Sequence, residues 1–209
     1  MPQVLLKAAE PPAGDSVRRR IVAGARRHFF AHGFRRVTMD DIAGELGMSK
    51  KTLYAHFPSK SALVEAAIRA KAADVEVELG RIEAECDADF SGALHRMLAC
   101  LQRHAEEIQP PFLRDVRRSA PELFKFVEMR RSALIERYFG KLFANGRRAG
   151  MVRKDLPPRL AVEILLGAIQ SVVNPVKLAE LGLAPQVAFP AVISVVLNGV
   201  LTAAGRKQR

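Results

Sequence analysis

The chain reads as all-α: an N-terminal three-helix helix-turn-helix domain followed by a larger helical domain. Three observations predict this. Residues 38–60 carry the caps, turn glycine and apolar spacing of two short helices joined by a tight turn. Beyond residue 63 the apolar positions keep a helical period, and no hairpin signal interrupts them. The last third holds two stretches that are apolar nearly all round. The expected division is a mobile tail over 1–14, the helix-turn-helix over 15–62, the larger domain over 63–205 and a basic tail over 206–209.

Residues 1–14 contain three prolines and no helical period, hence the tail. Asp15 or Ser16 is placed to cap the first long helix, where Val17, Ile21, Ala25 and Phe29 recur every four residues. Arg18, Arg19, Arg20, Arg26 and Arg27 fall elsewhere on it, and a solvated face explains any one of them as well as a DNA-backbone contact does. Thr38 and Asp41 have capping-box spacing and start the next helix. Ile42 and Leu46 share one face, Ala43 permits close approach, and Gly47 supplies the positive φ of a sharp exit. Ser49 caps the third helix, which Leu53 and Phe57 hold to the second.

The outer face of that third helix presents Ser49, Lys50, Lys51, Thr52, Tyr54 and His56. A helix of this width fits the major groove: a lysine reaches guanine acceptors, Thr52 a base edge or thymine methyl, and Ser49 and Tyr54 suit phosphate oxygens. Pro58 ends the helix, and Ser59–Lys60 opens another whose free N–H groups and ammonium can face one phosphate. Candidate DNA-binding residues are therefore Thr38, Ser49, Lys50, Lys51, Thr52, Tyr54, His56 and Lys60. The competing reading is three capped helices with merely solvated polar faces, since helix-turn-helix geometry also occurs in proteins that never touch DNA.

Residues 16–63 resemble the DNA-binding domain of TetR-family transcriptional regulators. The resemblance is carried by Phe29 to Phe34 (Phe-x-x-x-Gly-Phe), Val37-Thr38-Met39, Ile42-Ala43, Leu46-Gly47-Met48-Ser49, Leu53-Tyr54, His56-Phe57, Ser59-Lys60 and Leu63. Ser61 departs from it, standing where the family often has an acidic residue. The resemblance implies operator binding, a homodimer, and a small-molecule effector held in the larger domain.

Charge suits that expectation. Residues 1–60 hold 11 basic and 5 acidic groups of a chain total of 33 and 22, so a basic head precedes a less basic body. A basic membrane-surface patch or simple solubility would leave the same imbalance. Two cysteines are too few for a disulfide framework and no signal-peptide pattern opens the chain, so a cytoplasmic location is expected. On one continuous helix Cys86 and Cys100 would lie roughly 21 Å apart; a bridge would need a break, for which residues 87–92 are the candidates. Buried apolar roles for both are the commoner case, with a thiol sensor the alternative. His28 and His32 have ligand spacing without a companion Glu or Cys, and His95 and His104 fall on different helix faces, so no metal and no cofactor is expected. No phosphate loop, serine elbow or paired ligand set suggests catalysis.

From residue 59 a helix can run past Leu79 to Ile82 and couple head to body. Leu94, Met97, Leu98 and Leu101 form the next stripe, and Pro110-Pro111 stops it. A short piece covers 112–119, and Pro121 opens a long helix through Leu142, ended by Asn145-Gly146 and Gly150. Met97, Leu101, Phe112, Phe124, Phe126 and Met129 are the candidate effector contacts, flexible sulfurs and aromatics being suited to varied apolar ligands; plain core is their ordinary role. The uncharged stretch 181–205 has the length of a membrane span, but Pro185, Gln186, Pro190 and Asn198 interrupt it. With the equally apolar helix before it, it is expected to form a homodimer interface over about 157–174 and 186–205, and no membrane association. A membrane-associated adaptor and a ligand-free, redox- or protein-controlled regulator stay open as alternatives.

Overall fold

The computed structural model describes residues 13–85, 89–173 and 175–202. Cys86, most of the expected N-terminal tail and the expected basic tail at 206–209 lie outside these. The described residues form helices joined by short turns: α1 Ala13–His32, α2 Met39–Glu45, α3 Lys50–His56, α4 Lys60–Glu85, α5 Phe90–Glu106, α6 Pro110–Ser119, α7 Pro121–Ile135, a π-helical turn Glu136–Gly140, α8 Lys141–Arg148, α9 Pro158–Val172, α10 Pro175–Leu181 and α11 Pro185–Val200. Their only β-type pairing is an isolated bridge between Val152 and Leu201. The all-α expectation is met.

The chain divides into two compact units, 1–74 with 103–128, and 75–102 with 129–209. Helices α4, α5 and α7 each contribute residues to both.

The first unit packs α1, α2, α3, the first half of α4 and α6 around Ile21, Phe29, Phe30, Ile42, Leu53, Phe57, Leu63, Phe112 and Val116. Phe30 and Phe112 stack at 4.9 Å between centroids. α1 begins at Ala13, ahead of both Asp15 and Ser16. Gly24 of α1 permits the close approach of α2, for a Cβ there would stand 2.8 Å from Leu46 Cδ2. Beneath this core lies a polar cluster. Lys71, 6% exposed, donates to Glu107 Oε1 and to His104 Nδ1, each at 2.7 Å. Arg26 Nη2 reaches the same carboxylate at 2.7 Å and its Nη1 pairs with Asp74. Burial draws the Lys71 pKa down. For Glu107 burial pushes the other way, but the hydrogen bonds from Lys71 and Arg26 outweigh it and hold the carboxyl below the usual range. The cluster thus ties α1, α4 and the end of α5 together in their charged states.

The second unit has its own core of Leu79, Leu94, Met97, Leu98, Phe139, Phe143, Leu165, Ile193 and Leu197. The π turn adds a residue to one helical turn, and the adjacent Tyr138 and Phe139 are both buried there, with Tyr138 donating to the Glu76 carbonyl at 3.1 Å. α9 and α11 pack on each other. Away from that contact they leave Leu160, Ile164, Val187 and Val195 at 46–74% exposure. Among the described residues no helix is long and apolar enough to cross a membrane.

Candidate nucleic-acid interface

The first unit builds its polar face from local signals outward. The Thr38 hydroxyl accepts the Asp41 N–H at 3.1 Å, and Asp41 Oδ2 accepts both the Thr38 N–H and the Thr38 hydroxyl proton at 2.8 Å, a complete capping box. Gly47 turns the chain with φ +61°. Ser49 Oγ accepts the Thr52 N–H at 3.0 Å and shares a hydrogen bond with Thr52 Oγ1 at 2.8 Å, so α3 starts capped. Leu53 and Phe57 are buried at 0% and 1% exposure, which fixes the roll of this two-turn helix. Its opposite face is left in solvent.

On that face the candidates differ in what they have free. Lys50 pairs with Asp40 at 2.5 Å, whereas Lys51 is exposed and has no acidic partner among the described residues. Tyr54 is 46% exposed. Thr52 is exposed and keeps its methyl available, although its hydroxyl is held by Ser49. His56 is half-buried and its carbonyl accepts Arg18 Nη1 at 3.0 Å. Lys60 lies against the loop before α2, its Nζ 3.4 Å from the Arg35 carbonyl and 4.7 Å over the Phe34 ring, and burial lowers its pKa. Ser59 caps α4 by accepting the Ala62 N–H at 3.1 Å.

Arginines of α1 clamp this assembly from behind. Arg18 also stacks on the Phe57 ring at 4.2 Å, and Arg20 Nη2 donates to the Leu46 carbonyl at 2.9 Å. Each guanidinium therefore closes the C-terminal end of a short helix, where carbonyls lack partners and the dipole favours a cation. Arg27 and His28 both pair with Glu45 of α2. His95 Nδ1 donates to the Ser91 carbonyl at 2.8 Å. Sequence spacing carries no signal for the clamps made by α1, because their partners are 17 to 38 residues away.

The candidate effector contacts fall into separate sets. Met97 is buried in the second core and Leu101 packs against it. Phe112 is buried in the first core, with Phe124 and Phe126 packed on it; Phe126 also lies under Arg69 at 4.5 Å. Met129, of the second unit, is 61% exposed.

Asp41 makes the start of α2 acid-sensitive. The hydrogen bonds from the Thr38 backbone and hydroxyl hold its carboxyl below its ordinary value. A depressed carboxyl pKa contributes stability that is present above the unfolded value, near 3.9, and is lost as pH falls through the folded one. The thermal midpoint of wild type should therefore fall more steeply than that of Asp41→Asn as pH drops from about 5 to about 2. Parallel midpoints over that range would remove Asp41 as the source.

Residues 21–67 match the family model described as bacterial regulatory proteins, tetR family. No curated protein matches the chain. Solved structures share its fold: a transcriptional regulator from Saccharomonospora viridis in complex with choline (21% identity, 90% of this chain and 99% of that one covered, TM-score 0.73), a TetR-family regulator from Mesorhizobium loti MAFF303099 (18%, 92% and 100%, 0.73), and a ketosteroid transcriptional regulator of Mycobacterium tuberculosis (20%, 90% and 96%, 0.60).

Proposed function

We propose, since the chain belongs to the TetR family of transcriptional regulators, that it is a cytoplasmic repressor that binds an inverted-repeat operator as a homodimer and is released by a small-molecule effector. The observation that carries this reading is α3. Its inner face is locked by Leu53 and Phe57, and its outer face offers Lys51, Thr52 and Tyr54 to solvent. Lys51 is the cation positioned for guanine acceptors, since Lys50 is held by Asp40. Ser49, Lys50, Tyr54 and His56 border it, and Thr38 and Lys60 flank the reading helix for phosphate contacts.

A helix of two turns reads only a few base pairs, so specificity calls for two copies about one turn of DNA apart. The exposed Leu160 and Ile164 of α9 and Val187 and Val195 of α11 supply an apolar face for the second copy. Met97 and Leu101 of α5 are the proposed effector contacts in the second unit, where sulfur and aliphatic side chains suit an apolar ligand. α4, which belongs to both units, is the element whose shift would alter the spacing of the two reading helices. Phe112, Phe124 and Phe126 are given the role of holding the first unit in shape. The protein acts in this reading by binding alone.

The test is retention of sheared DNA from the source organism on the purified protein, followed by sequencing. Enrichment of one short inverted repeat, abolished when a cell extract containing the effector is added, is the expected result. Retention without any enriched sequence would remove the operator reading. Enrichment insensitive to every extract but lost on thiol oxidation would favour a regulator answering to redox.

A further inference from the structure

The first unit carries a second row of cations that α3 does not use. α6 buries Phe112 and Val116 and leaves Arg114, Arg117 and Arg118 exposed. Among the described residues none of the three has an acidic partner; Arg117 instead lies 5.9 Å over the Phe124 ring.

Helical arithmetic separates these arginines. Asp115 marks the flank of α6 that meets the loop after α1: its Oδ2 accepts the Arg35 N–H at 2.9 Å, and Pro111 Cβ stands 3.4 Å from where a Cβ on Gly33 would be. At about 100° per residue, Arg118 lies about 60° from Asp115 and Arg114 about 100°, while Arg117 points about 160° away. Arg114 and Arg118 therefore share the loop's side of the helix. That loop exposes Arg35 and Arg36, and the Arg35 carbonyl is the one that accepts Lys60 Nζ. A basic strip thus runs from Lys60 through Arg35 and Arg36 to Arg118 and Arg114. Against these five cations stand two carboxylates, Asp115, which accepts the Arg35 N–H, and Asp41, both of which act on Lys60.

We propose that Arg114 and Arg118, together with Arg35 and Arg36, form an accessory surface that grips the DNA backbone beyond the base pairs read by α3. The proposal rests on the DNA-reading function above and extends it to flanking duplex. Guanidinia match phosphate oxygens in pairs and stay charged at every working pH. A strip with such an excess of cations is self-repelling until a polyanion covers it. Its continuity with Lys60, the proposed phosphate contact of the reading head, makes the same duplex the nearest polyanion.

The experiment compares wild type, Arg114→Ala/Arg118→Ala and Arg117→Ala by fluorescence anisotropy between 50 and 200 mM salt. The probes are the recovered operator alone and the same operator extended by mixed sequence on both sides. Wild type should bind the extended probe more tightly, and the double variant should lose most of that difference. Each phosphate contact removed lowers the salt slope by about 0.9, so losing two in each subunit of the dimer makes the fall in affinity across this salt range about 150-fold smaller. Arg117→Ala should behave as wild type, and unchanged melting of the double variant would exclude misfolding as the cause.

An unaltered slope and length dependence in the double variant would overturn the accessory surface while leaving the reading helix in place. An equal loss in Arg117→Ala would overturn it too, reducing the effect to net charge. Wild type that binds neither probe would remove the DNA-reading function itself, and the strip with it.

Discussion

Phe57→Ala should destabilise the first unit by about 3–5 kcal/mol, the usual cost of emptying an aromatic site in a packed core. Phe57 is 1% exposed, closes α3 as its C-cap, and carries the Arg18 guanidinium on its ring while Arg18 holds the His56 carbonyl. The single truncation removes a core side chain and the platform for a clamp, so DNA binding should fall with stability. A neighbouring exposed truncation, Ala55→Gly, costs only the backbone propensity of about 1 kcal/mol. Chemical denaturation of both variants checks this. A Phe57→Ala midpoint no lower than that of Ala55→Gly would mean that α3 is not held through its inner face.

Val195→Glu should convert the proposed dimer to monomer. Val195 is 74% exposed within one chain, on a helix with no charged residue along its sixteen positions. Such a side chain is costly only if a second copy covers it. An unpaired carboxylate at a packed interface costs about 3 kcal/mol or more, which is roughly a hundredfold in association. Ile164→Glu on α9 should do the same, whereas Val77→Glu on α4, whose exposure lies between those of Ile164 and Val195, should leave the dimer intact. Sedimentation equilibrium distinguishes these outcomes, and operator affinity should collapse in the two monomeric variants because one reading helix cannot span an inverted repeat. A Val195→Glu protein that still sediments as a dimer would place the second copy elsewhere.

Much of this fold was readable before any coordinates because its signals are local. Thr38 and Asp41, three residues apart, form the capping box; Gly47 takes positive φ; Ser49 caps α3; Pro121 opens α7. The Leu53–Phe57 pair, one helical turn apart, identified the inner face of α3 and so its outer one. What stayed hidden depends on partners distant in the chain. Nothing in the spacing of α1 says that Arg18 reaches the His56 carbonyl or that Arg26 meets Asp74 and Glu107. The pairing of Lys50 with Asp40, which leaves Lys51 as the free cation, needs the angle between α2 and α3. The π turn at Glu136–Gly140 departs from the 3.6-residue period on which the reading relied, and the seven-residue α10 is too short for a period to register.

The most direct measurement of the central claim is operator affinity of Lys51→Ala and Tyr54→Ala beside wild type, each against the recovered inverted repeat and a scrambled duplex. Loss of a base contact costs about 1–3 kcal/mol, so each variant should bind the repeat at least tenfold more weakly, with Lys51→Ala also relaxing the preference at one base-pair position. Melting temperature should not move, since both side chains are exposed. Equal weakening on repeat and scrambled duplex would reduce Lys51 and Tyr54 to backbone contacts. No weakening on either would contradict the assignment of α3 as the reading helix.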